Sequence, residues 1–373
     1  MNYCILLILY IYLNLILQIK SISTEYINLI SWIKNNEGFV SDKVIPEESS
    51  KYNRRIISKE KILKDELISF IPEKIILSSI NPFLNEICRQ AYGLYHTSDL
   101  ECITFFITFD KFNNNSFFKP YYDYLPKLDL KNFPSEFPKE RLELYTELEF
   151  DLYVGISDNK LKKAFNEDVE KILEKKGIKN PYEEFKYNYN LVKSRNFARP
   201  GSDFFFDLNS CVPFMELFNH DNEYNSDFFF DEKNKGFFLK ATKDINKGEE
   251  VTVSYGNEHN IYLFVTYGFT LNYNKYKNPL RVKIGKYQYS FYPSENKDKN
   301  IKDVLSVAQS LKEIYGFEKS KESFIYDLMI KELENKKEKI NLIDKDDINI
   351  KNIVDEMIIS IDNYIKILKF IKS

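Results

Sequence analysis

The apolar positions change their period along the chain, and each change marks a different kind of element. Residues 25–37 place Tyr26, Leu29, Ile30 and Ile33 at helical spacing, and Gly38 follows as a stop, which predicts a short amphipathic helix. Arg55-Ile56-Ile57-Ser58 and Glu66-Leu67-Ile68-Ser69-Phe70-Ile71 read as two strands flanking a polar segment, the second closed by Pro72. The stretch 82–195 is mainly helical, broken at Pro120, Pro126, Pro134, Pro138 and Pro181. From about residue 203 the period returns to two. Phe228-Phe229-Phe230, Phe237-Phe238-Leu239-Lys240-Ala241 and Glu250-Val251-Thr252-Val253-Ser254-Tyr255 then read as strands. Lys233-Asn234-Lys235-Gly236 and Asn246-Lys247-Gly248 supply the turns between them. Three helical patterns occupy 300–373, one with Ile353, Met357, Ile361, Ile365 and Leu368 on a single face. Strands on both sides of a helical block, followed by a helical tail, make an α+β chain.

Composition narrows the function classes more than the fold. The 373 residues are 43% hydrophobic and 29% charged, enough for two compact units or one large unit with an elaboration. Aromatic residues reach 16%, in clusters such as Phe204-Phe205-Phe206. The abundance of Lys, Asn and Ile points to AT-rich coding, which raises Phe and Tyr without a functional cause. A net charge of −3, with Lys336, Lys337 and Lys339 interleaved with Glu338, argues against a nucleic-acid partner, which needs a concentrated basic surface. Cys4, Cys88, Cys102 and Cys211 include no C-x-x-C pair, and His96, His220 and His259 form no ligand cluster, so no metal is expected. Cys4 to Leu17 is nearly all Ile, Leu and Tyr, the length of a signal-peptide core and short of the roughly 20 residues of a membrane span. Ser21-Ile22-Ser23 offers a small-x-small cleavage site. Residues 1–23 are therefore expected to be a signal peptide routing the protein to the secretory pathway. An uncleaved anchor, or a misassigned start with cytoplasmic or nuclear residence, is the alternative.

Two segments put polar groups where a core would want apolar ones. Phe214-Met215-Glu216-Leu217-Phe218 ends abruptly in Asn219-His220-Asp221, and the strand ending at Val253-Ser254 runs into Tyr255-Gly256. Alone, the first reads as a cap and the second as a strand running into a turn. Together, about 35 residues apart and with Lys247-Gly248-Glu249-Glu250 just before the second, they resemble the SET domain of protein methyltransferases. In that family the two segments pass through each other in a knot-like crossing, which is rare among proteins. The resemblance is to the Rubisco large-subunit methyltransferase-like subfamily and covers the chain from about residue 24 to the end. It implies short β-sheets with the crossing over 24–275, a helical insertion at about 82–195, and an all-helical C-terminal domain over 276–373 that binds the substrate protein.

The same resemblance implies the residue roles. Leu29-Ile30-Ser31-Trp32 and Gly38-Phe39-Val40-Ser41 look like the opening helix and turn, and Ser194-Arg195-Asn196-Phe197 looks like the Ser/Thr-Arg-x-Phe signature. Tyr255 is implied as catalytic. Arg195, Glu216, Asn219, His220, Tyr255, Tyr267 and Phe269 are implied to hold S-adenosylmethionine, and Arg54 is added to them by its position in the chain. Phe197, Val253, Tyr267 and Phe269 would line the channel for the acceptor amine. The partner would be a protein carrying the acceptor lysine, with the enzyme a monomer and a membrane involved only if the N-terminal segment is retained. The chemistry agrees: an aliphatic amine of pKa about 10.4 must be neutral to attack a sulfonium carbon, and an aromatic channel disfavours its ammonium form. Where the family has an acidic residue and Gly-x-Gly, this chain has Tyr52-Asn53-Arg54-Arg55. Asn53 tolerates unusual φ, and the side chain of Arg54 or of Arg55 could meet the cofactor carboxylate. Glu216 stands where Asp is common. A histidine-directed enzyme of the same fold, and a binding protein that has lost the cofactor, are the alternative readings.

Overall fold

The computed structural model describes residues 23–50, 53–78, 81–93, 99–125, 127–199, 208–316 and 322–373. The apolar run at 4–17, the cleavage site apart from Ser23, Tyr52, His96 and Cys4 lie outside the described residues.

Helix α1, Thr24–Asn35, forms for reasons visible in its sequence. Ser23 caps it by accepting the Tyr26 amide at 3.2 Å, and Tyr26, Leu29, Trp32 and Ile33 are its buried stripe. Gly38 follows because a Cβ there would lie 2.5 Å from Ile33 Cγ2. The chain then lays down β1, Phe39–Val40, a β2–β3 hairpin of Val44–Ser50 and Asn53–Ser58, then β4, Leu67–Pro72, and β5, Leu77–Ser78.

From Pro82 to Lys193 the chain is mainly helical. Helices α2, Pro82–Tyr92, and α3, Asp99–Asp110, open this block, followed by α4, Lys119–Tyr124, α5, Lys139–Leu144, α6, Phe150–Ala164, α7, Glu167–Lys175, and α8, Pro181–Lys193. α3 has no polar stripe in its middle: Cys102, Ile103, Phe105, Phe106 and Ile107 are all buried, so it is the spine of the block. A disulfide joins Cys88 of α2 to Cys102 of α3, their Cα atoms 5.5 Å apart. The spacing of the cysteines gave no sign of this pair. Closing a loop of that size restricts the unfolded chain, and replacing Cys88 by Ala is expected to cost about 3 kcal/mol. Chemical denaturation checks this; equal midpoints with and without reductant would mean the bond is not formed.

After the block, β6, Asn196–Arg199, and β7, Leu208–Cys211, join β5 in a three-stranded sheet of order β5-β7-β6. β8, Asn219–His220, precedes β9, Ser226–Asp231, and β10, Gly236–Ala241. The largest sheet has the order β1-β4-β10-β9, with Phe70 opposite Phe238 and Ser69 opposite Leu239. Strands from before and after the helical block therefore share two sheets, and the block is an excursion from them. β11, Thr252–Val253, is the shortened form of the strand expected at 250–255, and it pairs in parallel with β8, Thr252 against Asn219 and Val253 against His220. This places the two polar segments side by side.

Helix α9, Asn260–Tyr267, leads into the C-terminal region. Helices α10, Lys297–Tyr315, α11, Glu322–Asn341, and α12, Ile348–Lys372, match the three expected patterns. The region is not helical throughout, as the expectation had it. A hairpin of β12, Leu280–Ile284, and β13, Tyr287–Phe291, comes first, with Leu280, Val282 and Ile284 buried alternately and Gly285 at φ 62° in its turn. This hairpin contributes to a second core shared by α9, α10, α11 and α12 and by Phe137, Tyr145, Leu148, Phe150 and Val154 of the block, while α1, the other strands and most of the remaining block build the first.

Candidate active site

Burial fixes the site before any ligand is considered. The β8–β11 pairing lets His220 Nδ1 accept the backbone amide of Tyr255 at 3.1 Å, and the His220 and Tyr255 rings stack at 5.3 Å. The hydroxyl of Tyr255 donates to Phe218 O at 2.8 Å, and burial pushes its pKa up to about 12, so it is a neutral donor at physiological pH rather than a base. The pKa of His220 is lowered by burial, and with Nδ1 accepting, the proton of the neutral ring sits on Nε2.

A second wall comes from α9 and the turn after it. His259 caps α9 by accepting the Tyr262 amide at 3.2 Å, and burial lowers its pKa to about 4, which keeps it an acceptor. Gly268 ends the helix at φ 79°, where a Cβ would lie 3.2 Å from the Phe133 ring. That turn delivers Tyr267 and Phe269, whose ring centroids lie 4.8 and 6.3 Å from that of Tyr255. Lys193, half-buried at the end of α8, donates to Val265 O at 3.3 Å and so ties α8 to α9 just before Ser194-Arg195; desolvation lowers its pKa to about 8.

Arg54, Arg195, Glu216, Asn219, His220, Tyr255, Tyr267 and Phe269 line one cavity of about 490 Å³, together with Ser194, Leu217, Glu250, Leu271 and the segment around Lys127 to Phe133. Every residue proposed from the sequence for the cofactor is brought together there. Of the two arginines at 54 and 55, Arg54 lines the cavity, stacked 3.9 Å over Tyr124 and paired with Glu48 at 2.8 Å, while Arg55 pairs with Glu47 at the surface. Asn219 Nδ2 donates to Arg54 O at 3.1 Å and to Glu250 Oε1 at 2.8 Å, so its side chain holds β3 against the crossing. Glu250 escaped the sequence reading, although it belongs to the Lys-Gly-Glu-Glu turn that marked the second segment. Phe197 and Val253 do not line the cavity. Val253 is 1% exposed, and the Phe197 ring sits edge-on to Phe228 at 4.7 Å with Phe237 beyond it. The pleat of β6 turns Phe197 into the sheet.

On three residues that line this cavity, the nitrogens Arg54 Nε, Arg195 Nε and His220 Nε2 are buried without a hydrogen-bond partner. Unsatisfied donors are costly inside a protein, and three on residues that line one cavity mark it as a polar site. Glu216 is the acidic counterpart. Tyr121 donates to it at 2.7 Å, and burial raises its pKa to about 7, a rise that Arg195 opposes most. Because the folded pKa lies above the ordinary 4.5, the stability tied to its bound proton is complete below about 4.5 and lost as pH rises through about 7. Glu216→Gln should remove that loss, on the order of 3 kcal/mol. Urea midpoints at pH 4.5 and pH 8 test it; wild type and variant falling in parallel would refute a neutral Glu216. Among the described residues no group of His, Cys, Asp and Glu converges as a metal site.

The comparisons decide the family. Residues 53–256 match the SET-domain model. The chain belongs to the SET-domain family. The SET chain is similar to mouse SET domain-containing protein 4, 23% identical over 274 residues that span 67% of this chain and 59% of the relative. The protein of the same name from Artemia parthenogenetica is 31% identical over 98 residues, 25% of each chain. The chain thus spans less than two thirds of the curated relatives it matches. In fold it is similar to the SET domain of LSMT bound to lysine and AdoHcy, TM-score 0.67 at 12% identity, covering 94% of this chain and 92% of that one. Rubisco LSMT bound to AdoMet gives TM-score 0.65, also at 12% identity. At such identity the likeness speaks for the SET fold, including the large helical block and the helical C-terminal region.

Proposed function

We propose that this protein transfers a methyl group from S-adenosylmethionine to a lysine side-chain nitrogen of a protein substrate. The observation that carries the reading is the one cavity that Arg54, Arg195, Asn219, His220 and Tyr255 line together with the aromatic pair Tyr267 and Phe269. The solved neighbours bound to AdoMet, AdoHcy and lysine support it. The cofactor would supply an electrophilic methyl on a sulfonium. Arg195 and Arg54 offer Nε donors for its carboxylate, and Asn219-His220 gives the backbone edge beside them. Tyr255, Tyr267 and Phe269 desolvate the acceptor amine and favour its neutral form, and the Tyr255 hydroxyl orients the reacting groups without taking the proton. Asn219→Ala frees Arg54 O and Glu250 together, and should weaken S-adenosylhomocysteine by about 1–3 kcal/mol. Calorimetry would show this, and an unchanged affinity would refute the role of Asn219. A mass-spectrometric search for proteins that lose a methyl mark when the chain is removed identifies the substrate; marks lost from histidine instead of lysine would favour the histidine-directed reading.

The secretory address belongs to the same proposal. The apolar run before Thr24 supports it, and so does a disulfide buried between α2 and α3, because such bonds persist in oxidising compartments. A mature cytosolic protein that still begins at Met1 would contradict it.

A further inference from the structure

The last helix is apolar on most of its surface, yet its first turns carry Asn349, Asn352 and Glu356 at spacings of three and four, which sets them on one face. All three reach the segment after α9. The Asn352 amide donates to Thr270 Oγ1 at 3.0 Å and to Asn272 Oδ1 at 3.2 Å, and Thr270 Oγ1 donates to Asn349 Oδ1 at 3.0 Å. Glu356 Oε1 accepts the backbone and side-chain amides of Asn278 at 2.7 and 2.8 Å, and Oε2 accepts Asn260 Nδ2 at 3.2 Å. Asn260, 1% exposed, in turn grips the backbone of Leu271 on both sides, accepting its N–H at 3.0 Å and donating to its C=O at 3.1 Å. Leu271 and Phe269 line the cavity. A half-buried carboxylate spent on the amides of Asn260, at the start of α9, and of Asn278, in the loop beyond it, is an expensive way to join elements whose apolar side chains already share a core.

We propose that Glu356 is a positioning residue for the cofactor pocket: from the C-terminal helix, through Asn260 and Asn278, it fixes the Phe269–Leu271 wall. The role of the C-terminal region would then include completing the site and not only meeting the substrate protein. The inference rests on the reading of the cavity as a cofactor pocket, but its first readout does not need a ligand.

Hydrogen exchange on the full chain follows the amides of residues 269–272, and calorimetry follows S-adenosylhomocysteine. Glu356→Ala should accelerate exchange at Leu271 and weaken the ligand about tenfold, the loss expected when one or two buried hydrogen bonds go. Glu356→Gln keeps one acceptor oxygen and should fall between, and Asn352→Ala should loosen Thr270 if Glu356→Ala fails to fold. Ile361→Ala, a core truncation on the same helix, is the control. It should lower the melting temperature while leaving the loop's exchange and the affinity unchanged. If Ile361→Ala loosened the loop as much, or if Glu356→Ala and Asn352→Ala left Leu271 and Thr270 protected, the proposal would be overturned. If wild type failed to bind the ligand while the exchange pattern held, the cofactor reading would fail and the latch would stand as a structural one.

Discussion

Tyr255→Phe should lower methyl-transfer turnover by about 2–4 kcal/mol, roughly thirtyfold to a thousandfold, with little change in stability or cofactor affinity. The ring is held by His220, Tyr267 and Phe269, and phenylalanine keeps those contacts. Only the hydroxyl goes, with its hydrogen bond to Phe218 O, from a residue that lines the cavity. An oriented group of this kind acts mostly in the transition state, so the loss should fall on kcat and not on binding. A methyl-transfer assay beside a thermal melt tests it. A variant that melts normally and turns over like wild type would reduce Tyr255 to a strand-end aromatic.

Phe197→Ala should behave in the opposite way. The resemblance alone would make it a channel residue, with a loss in acceptor alignment. The structure puts its ring 7% exposed between Phe228 and Phe237, under the sheet that β9 and β10 complete. Truncating a large buried ring costs about 3–5 kcal/mol through lost burial and the cavity left behind. The expected result is a lower denaturation midpoint with unchanged S-adenosylhomocysteine affinity in the protein that remains folded. A variant of normal stability with weakened methyl transfer would return Phe197 to the channel.

These two aromatics show what the sequence could and could not tell. The place of Tyr255 beside Asn219-His220 was legible because the two short segments together are an unusual arrangement, and the pairing of β8 with β11 brings them side by side. Strands of two residues carry no periodic signal of their own; they exist only because a partner over 30 positions away holds them. The direction of Phe197 depends on the pleat of β6 against β7, and a one-residue change in register would have reversed it. The β12–β13 hairpin is a different case. Leu280-Arg281-Val282-Lys283-Ile284 alternates strictly and a two-residue Gly285-Lys286 turn follows, so its signal was present and the helical tail around it obscured it. Leu271 and Glu250 had no signal apart from their neighbours, since a wall residue delivered by a glycine turn and a carboxylate that meets Asn219 are both defined by tertiary contacts.

The Asn53-Arg54-Arg55 segment is where the chain departs furthest from its family, and it bears on the central claim. Asn53 and Arg55 stand where glycines usually let the backbone approach the cofactor, and Arg54 between them is tied at its ends to Glu48 and to Tyr124 O. Arg54 still lines an open cavity of about 490 Å³, and its buried Nε has no hydrogen-bond partner. The most direct measurement is a calorimetric titration of the purified chain with S-adenosylhomocysteine. One site per chain, a measurable heat at micromolar to low millimolar ligand, and a weaker signal from Asn219→Ala are expected. A folded wild-type protein that gives no heat of binding at millimolar ligand would contradict the cofactor reading, and would leave a SET fold that binds its partners without a methyl donor.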